Sequence, residues 1–125
     1  MKLDMNCVRD IMLTIENQTT SFYMSPDDFC KLLPDYTQEE IIYCCEKLYE
    51  GNYLHLEVIA LPGNRQPVIR AIGELTFDGH MFLADIKPKT TWQKLSPKLS
   101  KLGSASFSVI AEVAKQLGTD ALLNL

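Results

Sequence analysis

The side chains with the widest chemical reach in this sequence are four cysteines, at positions 7, 30, 44 and 45, and two histidines, His55 and His80. Thiolates and imidazoles at short, regular spacing would make a zinc site. The spacing here does not fit one: no C-x-x-C occurs, Cys44 and Cys45 are adjacent, and neither histidine belongs to a ligand-like pair. An even number of cysteines could also form a disulfide framework, but two neighbours and two distant residues make a poor one, and an intracellular setting keeps thiols reduced. The four are therefore expected to be small buried hydrophobes, with no metal and no cofactor. His80 follows Gly79, with Thr76 and Asp78 close by, so an acid–base group can be imagined there. No nucleophile, second base, phosphate loop or metal motif accompanies it. The expectation is a non-catalytic chain in which Thr76, Gly79 and His80 form a structural junction, a small residue and a hydrogen-bonding ring packed close to the first helix.

Charge is the second source of chemistry. The net charge is −4, and it is unevenly spread. Residues 1–60 hold four Lys/Arg against eleven Asp/Glu, a balance of −7, whereas residues 61–125 hold eight against five, a balance of +3. Glu39, Glu40, Glu46 and Glu50 share the stretch 37–50 with a lone Lys47, giving it −3. Such a surface has the wrong sign for a duplex, because phosphate neutralisation by Lys and Arg supplies most non-specific affinity. It suits a basic protein partner instead. Arg65, Arg70, Lys87, Lys89, Lys94, Lys98 and Lys101 carry the opposite charge, and with Trp92 as a stacking platform they could contact nucleic acid. The plainer reading gives those lysines to the solvated face of a helix and Trp92 to the core.

These residues need elements to position them. Asp4 to Glu16 is expected to be a helix burying Met5, Val8, Ile11, Met12 and Ile15, with Asp4 as its cap or an early acidic residue. A polar link with room for a short strand at 21–25 follows. Ser25-Pro26-Asp27-Asp28 then combines a cap, a proline at the first helical position and acids at the positive end of the dipole. Phe29, Leu32 and Leu33 are its expected buried stripe, and Pro34 ends it. Thr37 and Glu40 have capping-box spacing, Ile41, Ile42, Cys44, Cys45 and Leu48 continue the helical period, and Gly51 is the expected left-handed cap. Residues 53–60 and 67–75 alternate as a hairpin, with Leu54, Leu56 and Val58 on one side and a tip at Gly63, Asn64 and Arg65. The second strand runs into a helix at Thr76, with Met81, Phe82 and Ile86 facing the core. A helix capped by Thr90 or Thr91 follows, kinked or split at Ser96-Pro97 and closed by Gly103. A last helix opened by Ser104 carries Phe107, Ile110, Val113, Ala114 and Leu117 on one stripe and ends at Gly118.

This order predicts an α+β, mostly helical protein: a winged helix-turn-helix of three helices and a β-hairpin wing over residues 1–86, with additional C-terminal helices over 87–125 packed on the same domain. At 125 residues, with 46% hydrophobic and 22% charged side chains, the chain is long enough to bury one core without disulfides. The opening MKLDMNCVRD has no signal-peptide pattern, and no segment reaches the roughly 18 apolar residues of a membrane span. A cytoplasmic protein is expected.

The opening MKLDMNCVRDIMLTIE, the stretch YTQEEIIYCCEKLYEGNYL, the junction IGELTFDGHMFLADI, and the later TTWQKL and LGSASFSVIAEVAKQL resemble a family of small bacterial and phage-encoded proteins, a domain of unknown function. The resemblance covers nearly the whole chain. It implies a winged-helix-like fold and a bacterial or prophage setting, and it brings no activity, substrate or catalytic residue. LSPKL departs from the family pattern, in which that helix continues without proline. The functional expectation is a small binding module acting in protein–protein interaction or regulation, with self-association through the C-terminal helix. The alternative is a DNA-binding regulator using the wing and residues 87–101.

Overall fold

The computed structural model describes residues 1–18, 23–63, 67–102 and 107–123, with side chains described up to Leu99 and from Phe107 to Thr119 in the last two helices. It is α+β and mostly helical, with six helices and one two-stranded antiparallel hairpin among the described residues. The chain divides into two compact units, Met1–Gly79 and His80–Leu125. No helix among the described residues is long and apolar enough to cross a membrane.

In the first unit, α1 (Met5–Glu16) is capped by Asp4, whose carboxylate accepts from the Asn6 and Cys7 amides. It buries Met5, Cys7, Val8, Ile11, Met12 and Ile15. Ser25 caps α2 (Pro26–Cys30), with Pro26 in the first turn. This helix is shorter than expected. Leu32 and Leu33 donate to the carbonyls of Phe29 and Cys30 three residues back, so the chain tightens into turns before Pro34, and Leu32 is left 45% exposed rather than buried.

Thr37 caps α3 (Gln38–Glu50), which buries Ile41, Cys44, Cys45 and Leu48; Ile42 is only half-buried. Its far end departs from expectation in an instructive way. Gly51 has φ −81°, an ordinary conformation, and the left-handed residue is Asn52 at φ 64°. The Asn52 amide donates to Tyr49 and the Tyr53 amide to Leu48, the paired bonds of a Schellman motif with asparagine in the position glycine usually fills.

The hairpin pairs β1 (Leu54–Ile59) with β2 (Val68–Leu75). Leu54 faces Leu75 and Leu56 faces Ile72, then Glu57 faces Ala71 and Val58 faces Ile69, so β2 carries an extra residue at two places. These bulges bend β2 and leave β1 regular. Leu54 is buried as expected, but Leu56 is half-buried and Val58 is exposed, because the distal half of the hairpin projects beyond the core. On the other edge of β2, Met24 and Ile72 exchange both backbone bonds, at 2.9 and 2.7 Å, forming an isolated bridge. Of the tip, Gly63 has φ 85°, and Asn64 and Arg65 lie outside the described residues, as do residues 21 and 22 of the proposed short strand.

The helix α4 (Phe77–Ile86) starts at the end of this unit and continues into the second. Phe82, Leu83 and Ile86 are buried, but Met81 is 53% exposed, against expectation. It lies one turn after the 77%-exposed Phe77, so it falls on the solvent stripe of the helix. In the second unit α5 (Lys89–Leu102) packs with α6 (Phe107–Leu123). Two helix limits differ from expectation. The first, α5, begins at Lys89, before either threonine, with the Trp92 amide donating to the Pro88 carbonyl; it then runs unbroken through Pro97. That proline removes the bond to the Gln93 carbonyl on an exposed side, where water can replace it. The second, α6, passes Gly118 and ends at Leu123, with the Thr119 hydroxyl bonded back to the Lys115 carbonyl. Gly103 and Ser104 lie outside the described residues. Phe82 and Phe107 meet edge to face at 5.5 Å.

Candidate interaction site on the third helix

Helical spacing brings Glu39, Ile42, Tyr43 and Glu46 onto one side of α3, where with Met1 and Gln38 they line a shallow open concavity. Glu39 and Glu46 are exposed, while Ile42 and Tyr43 are half-buried. The other two acids of the set are occupied. The Thr37 hydroxyl both accepts from the Glu40 amide and donates to the Glu40 carboxylate, each at 3.2 Å. Glu50 binds the Lys47 ammonium at 3.0 Å, which raises the Lys47 pKa, and that ammonium also sits 5.4 Å from the centre of the Tyr43 ring. The helix's one cation is thus held near its C-terminus by Glu50 and Tyr43. Glu39 and Glu46 form no ion pair among the described residues. The helical period places Ile42 in the buried stripe, whereas it is half-buried and with Tyr43 forms an apolar floor; the spacing 39-42-43-46 is the sequence signal for it.

The basic residues are differently placed. Arg70 pairs with Glu57 across the hairpin at 3.3 Å. Lys87, Lys89, Lys94 and Lys98 are exposed, and Lys94 and Lys98 stand one turn apart on α5; Trp92 is half-buried. Arg65 and the side chain of Lys101 lie outside the described residues. On the stripe expected for self-association, Ile110 and Ala114 are buried and Phe107, Val113 and Leu117 half-buried, with Val109 exposed beside it.

The junction has a defined architecture. The Thr76 hydroxyl accepts from the Gly79 amide at 2.9 Å and donates to the Asn52 carbonyl at 2.6 Å, and the Thr76 amide donates to the Tyr53 carbonyl. A Cβ on Gly79 would overlap that same Tyr53 carbonyl oxygen. The close approach is therefore to the α3–β1 turn and not to the first helix, and His80 is exposed rather than packed.

Of the cysteines, Cys7, Cys44 and Cys45 are buried and Cys30 is half-buried, all as free thiols. Cys7 hydrogen-bonds Cys44 between α1 and α3, which lowers the Cys44 pKa and raises that of Cys7; burial raises Cys45 and Cys30. Tyr36 donates to Asp10 at 2.6 Å, and burial followed by that bond raises its pKa. Among the described residues no group of three or more His, Cys, Asp or Glu side chains is placed to hold a metal ion.

Residues 2–106 match the model of a family described as hypothetical proteins, DUF2513, and the chain belongs to that family. No curated protein and no solved structure matches it.

Proposed function

We propose that this chain is a non-catalytic, cytoplasmic winged-helix module of bacterial or prophage origin that binds a basic protein partner through α3. The winged-helix reading is supported by the order of helix, bridged residue, two helices and hairpin. It is supported also by the Met24–Ile72 bridge, which adds a strand position on the edge of β2 away from β1. The partner reading rests on one observation: Glu39 and Glu46 stand exposed on either side of Ile42 and Tyr43, a pair of acids flanking a partly apolar floor. A basic amphipathic segment complements that surface in both charge and polarity. A duplex does not, because the helix that would enter the groove offers Lys47 alone, already held by Glu50.

The test measures fluorescence anisotropy of the full chain with two probes, a synthetic Lys/Leu amphipathic helical peptide and a random-sequence DNA duplex. Peptide binding that is lost in Glu39→Lys/Glu46→Lys supports the reading. The DNA alternative draws on the exposed Lys94 and Lys98. Salt-sensitive duplex binding that disappears in Lys94→Glu/Lys98→Glu, with no peptide binding, would replace the proposal by that alternative.

A further inference from the structure

The free edge of the hairpin carries a second proposal, independent of α3. Edge strands are ordinarily blunted by bulges, prolines or lysines, because their unpaired amides and carbonyls invite another strand. Here both bulges fall on β2, and Leu54–Ile59 contains neither proline nor lysine. Among the described residues β1 pairs with β2 alone, so its other edge has no strand partner among them. Ile72 directs both its amide and its carbonyl to Met24, away from β1. Its partner Leu56 therefore belongs to a non-hydrogen-bonded pair and points its own N–H and C=O outward.

We propose that two copies of the chain dimerise by antiparallel pairing of their β1 strands about a two-fold axis at Leu56, with His55 of each copy opposite Glu57 of the other. The two Leu56 residues then exchange both backbone bonds, as an isologous interface requires. His55 and Glu57 are exposed and share a face, so this register sets an imidazole donor against a carboxylate twice per dimer, the Glu57 carboxylate being shared with Arg70 of its own hairpin. A register centred on Glu57 would set the two carboxylates against each other. In the Leu56 register Val58 of one copy falls beside Leu54 of the other, which is already buried in its own core, so the backbone bonds and the His55–Glu57 pairs select the register. A second copy is the occupant because the edge is complementary to itself in hydrogen bonding and charge at one register.

Sedimentation velocity of the full chain over a dilution series tests this, together with concentration-dependent exchange of the Leu56 amide. A reversible dimer is expected, with the Leu56 amide more protected at high concentration. His55→Glu, at an exposed position, should weaken the dimer about tenfold by placing like charges opposite each other, and His55→Lys should retain it. A chain that stays monomeric overturns the proposal. So does a dimer that is indifferent to His55→Glu, and so does one dissolved by Val109→Asp on α6 with the Leu56 amide unprotected throughout.

Discussion

Replacing Gly79 by alanine probes the strand-to-helix junction with one atom. The added Cβ would overlap the Tyr53 carbonyl oxygen and press on the adjacent backbone carbon as well, so no flexible side chain can relieve it. The Tyr53 carbonyl is also the acceptor for the Thr76 amide, and Thr76 in turn caps α4 at Gly79. Displacing it therefore disturbs the bond that fixes where β2 ends and the helix begins. Overpacking in a well-packed region costs about 1–3 kcal/mol and a disturbed hydrogen bond about 1 kcal/mol more, so the substitution should destabilise by roughly 2–4 kcal/mol. Against a typical total of about 5–15 kcal/mol this is a large fraction. In urea, with a slope of about 1–3 kcal/mol per molar, the midpoint should fall by about 1 M or more. Gly118→Ala is the control, since nothing lies within 4 Å of its added Cβ and α6 is helical there. It should stabilise by up to about 1 kcal/mol. A Gly79→Ala midpoint indistinguishable from that of the unsubstituted chain would refute the close-approach argument, because no relaxation short of moving the α3–β1 turn accommodates the carbon.

Other outcomes can be measured in the same way. Asn52→Gly should be neutral or slightly stabilising and Asn52→Val should cost about 1–2 kcal/mol in urea unfolding, since the left-handed conformation belongs to Asn52. Tyr36→Phe should cost about 1 kcal/mol through its bond to Asp10. The raised Tyr36 pKa means the folded chain keeps that proton longer than the unfolded one, so its contribution is complete below the unfolded value near pH 10 and is lost as pH rises above it; thermal melts should show a shallower alkaline decline in Tyr36→Phe. Glu39→Lys/Glu46→Lys should destabilise by no more than about 1 kcal/mol in urea unfolding, most of it from placing a cation in the first turn of α3, which leaves the chain folded and keeps the effect on peptide binding separate from folding.

Three helix starts were legible because each is written in a short local code. Asp4, Ser25 and Thr37 each accept a backbone amide two or three residues on, as their types and positions predicted. The helix ends were less legible, because they depend on which of several permissible residues takes the unusual conformation. Gly51 and Asn52 are both suited to a left-handed cap, and the choice falls one residue later, where the Tyr53 amide can reach Leu48 and β1 can begin at Leu54. Likewise Pro97 and Gly118 weaken a helix by amounts that packing of α5 with α6 can offset, so neither stops one. The distal hairpin misled for a different reason. Alternation in 53–60 is genuine, but alternation states only that two faces differ, and whether either face is covered depends on how far the strand reaches past the core.

The acidic helix illustrates why a charge count is a weaker guide than the pairing of each charge. From sequence, four glutamates on α3 are equivalent and Lys47 subtracts from all of them. In the structure Glu40 completes the cap and Glu50 holds Lys47, so two of the four are committed to the helix's own ends. The remaining two are seven residues apart on one face, with Ile42 and Tyr43 between them. A uniformly acidic face would attract any cation and discriminate poorly. Two uncommitted acids spaced by apolar surface ask for a partner with cations at a matching separation and an apolar strip between them, which is the pattern of an amphipathic helix. The consequence is specific: moving the charge from Glu46 to an exposed position on another helix, as in Glu46→Gln with Asn17→Asp at the end of α1, keeps the net charge but should lose peptide binding, whereas binding set by net charge alone would survive it.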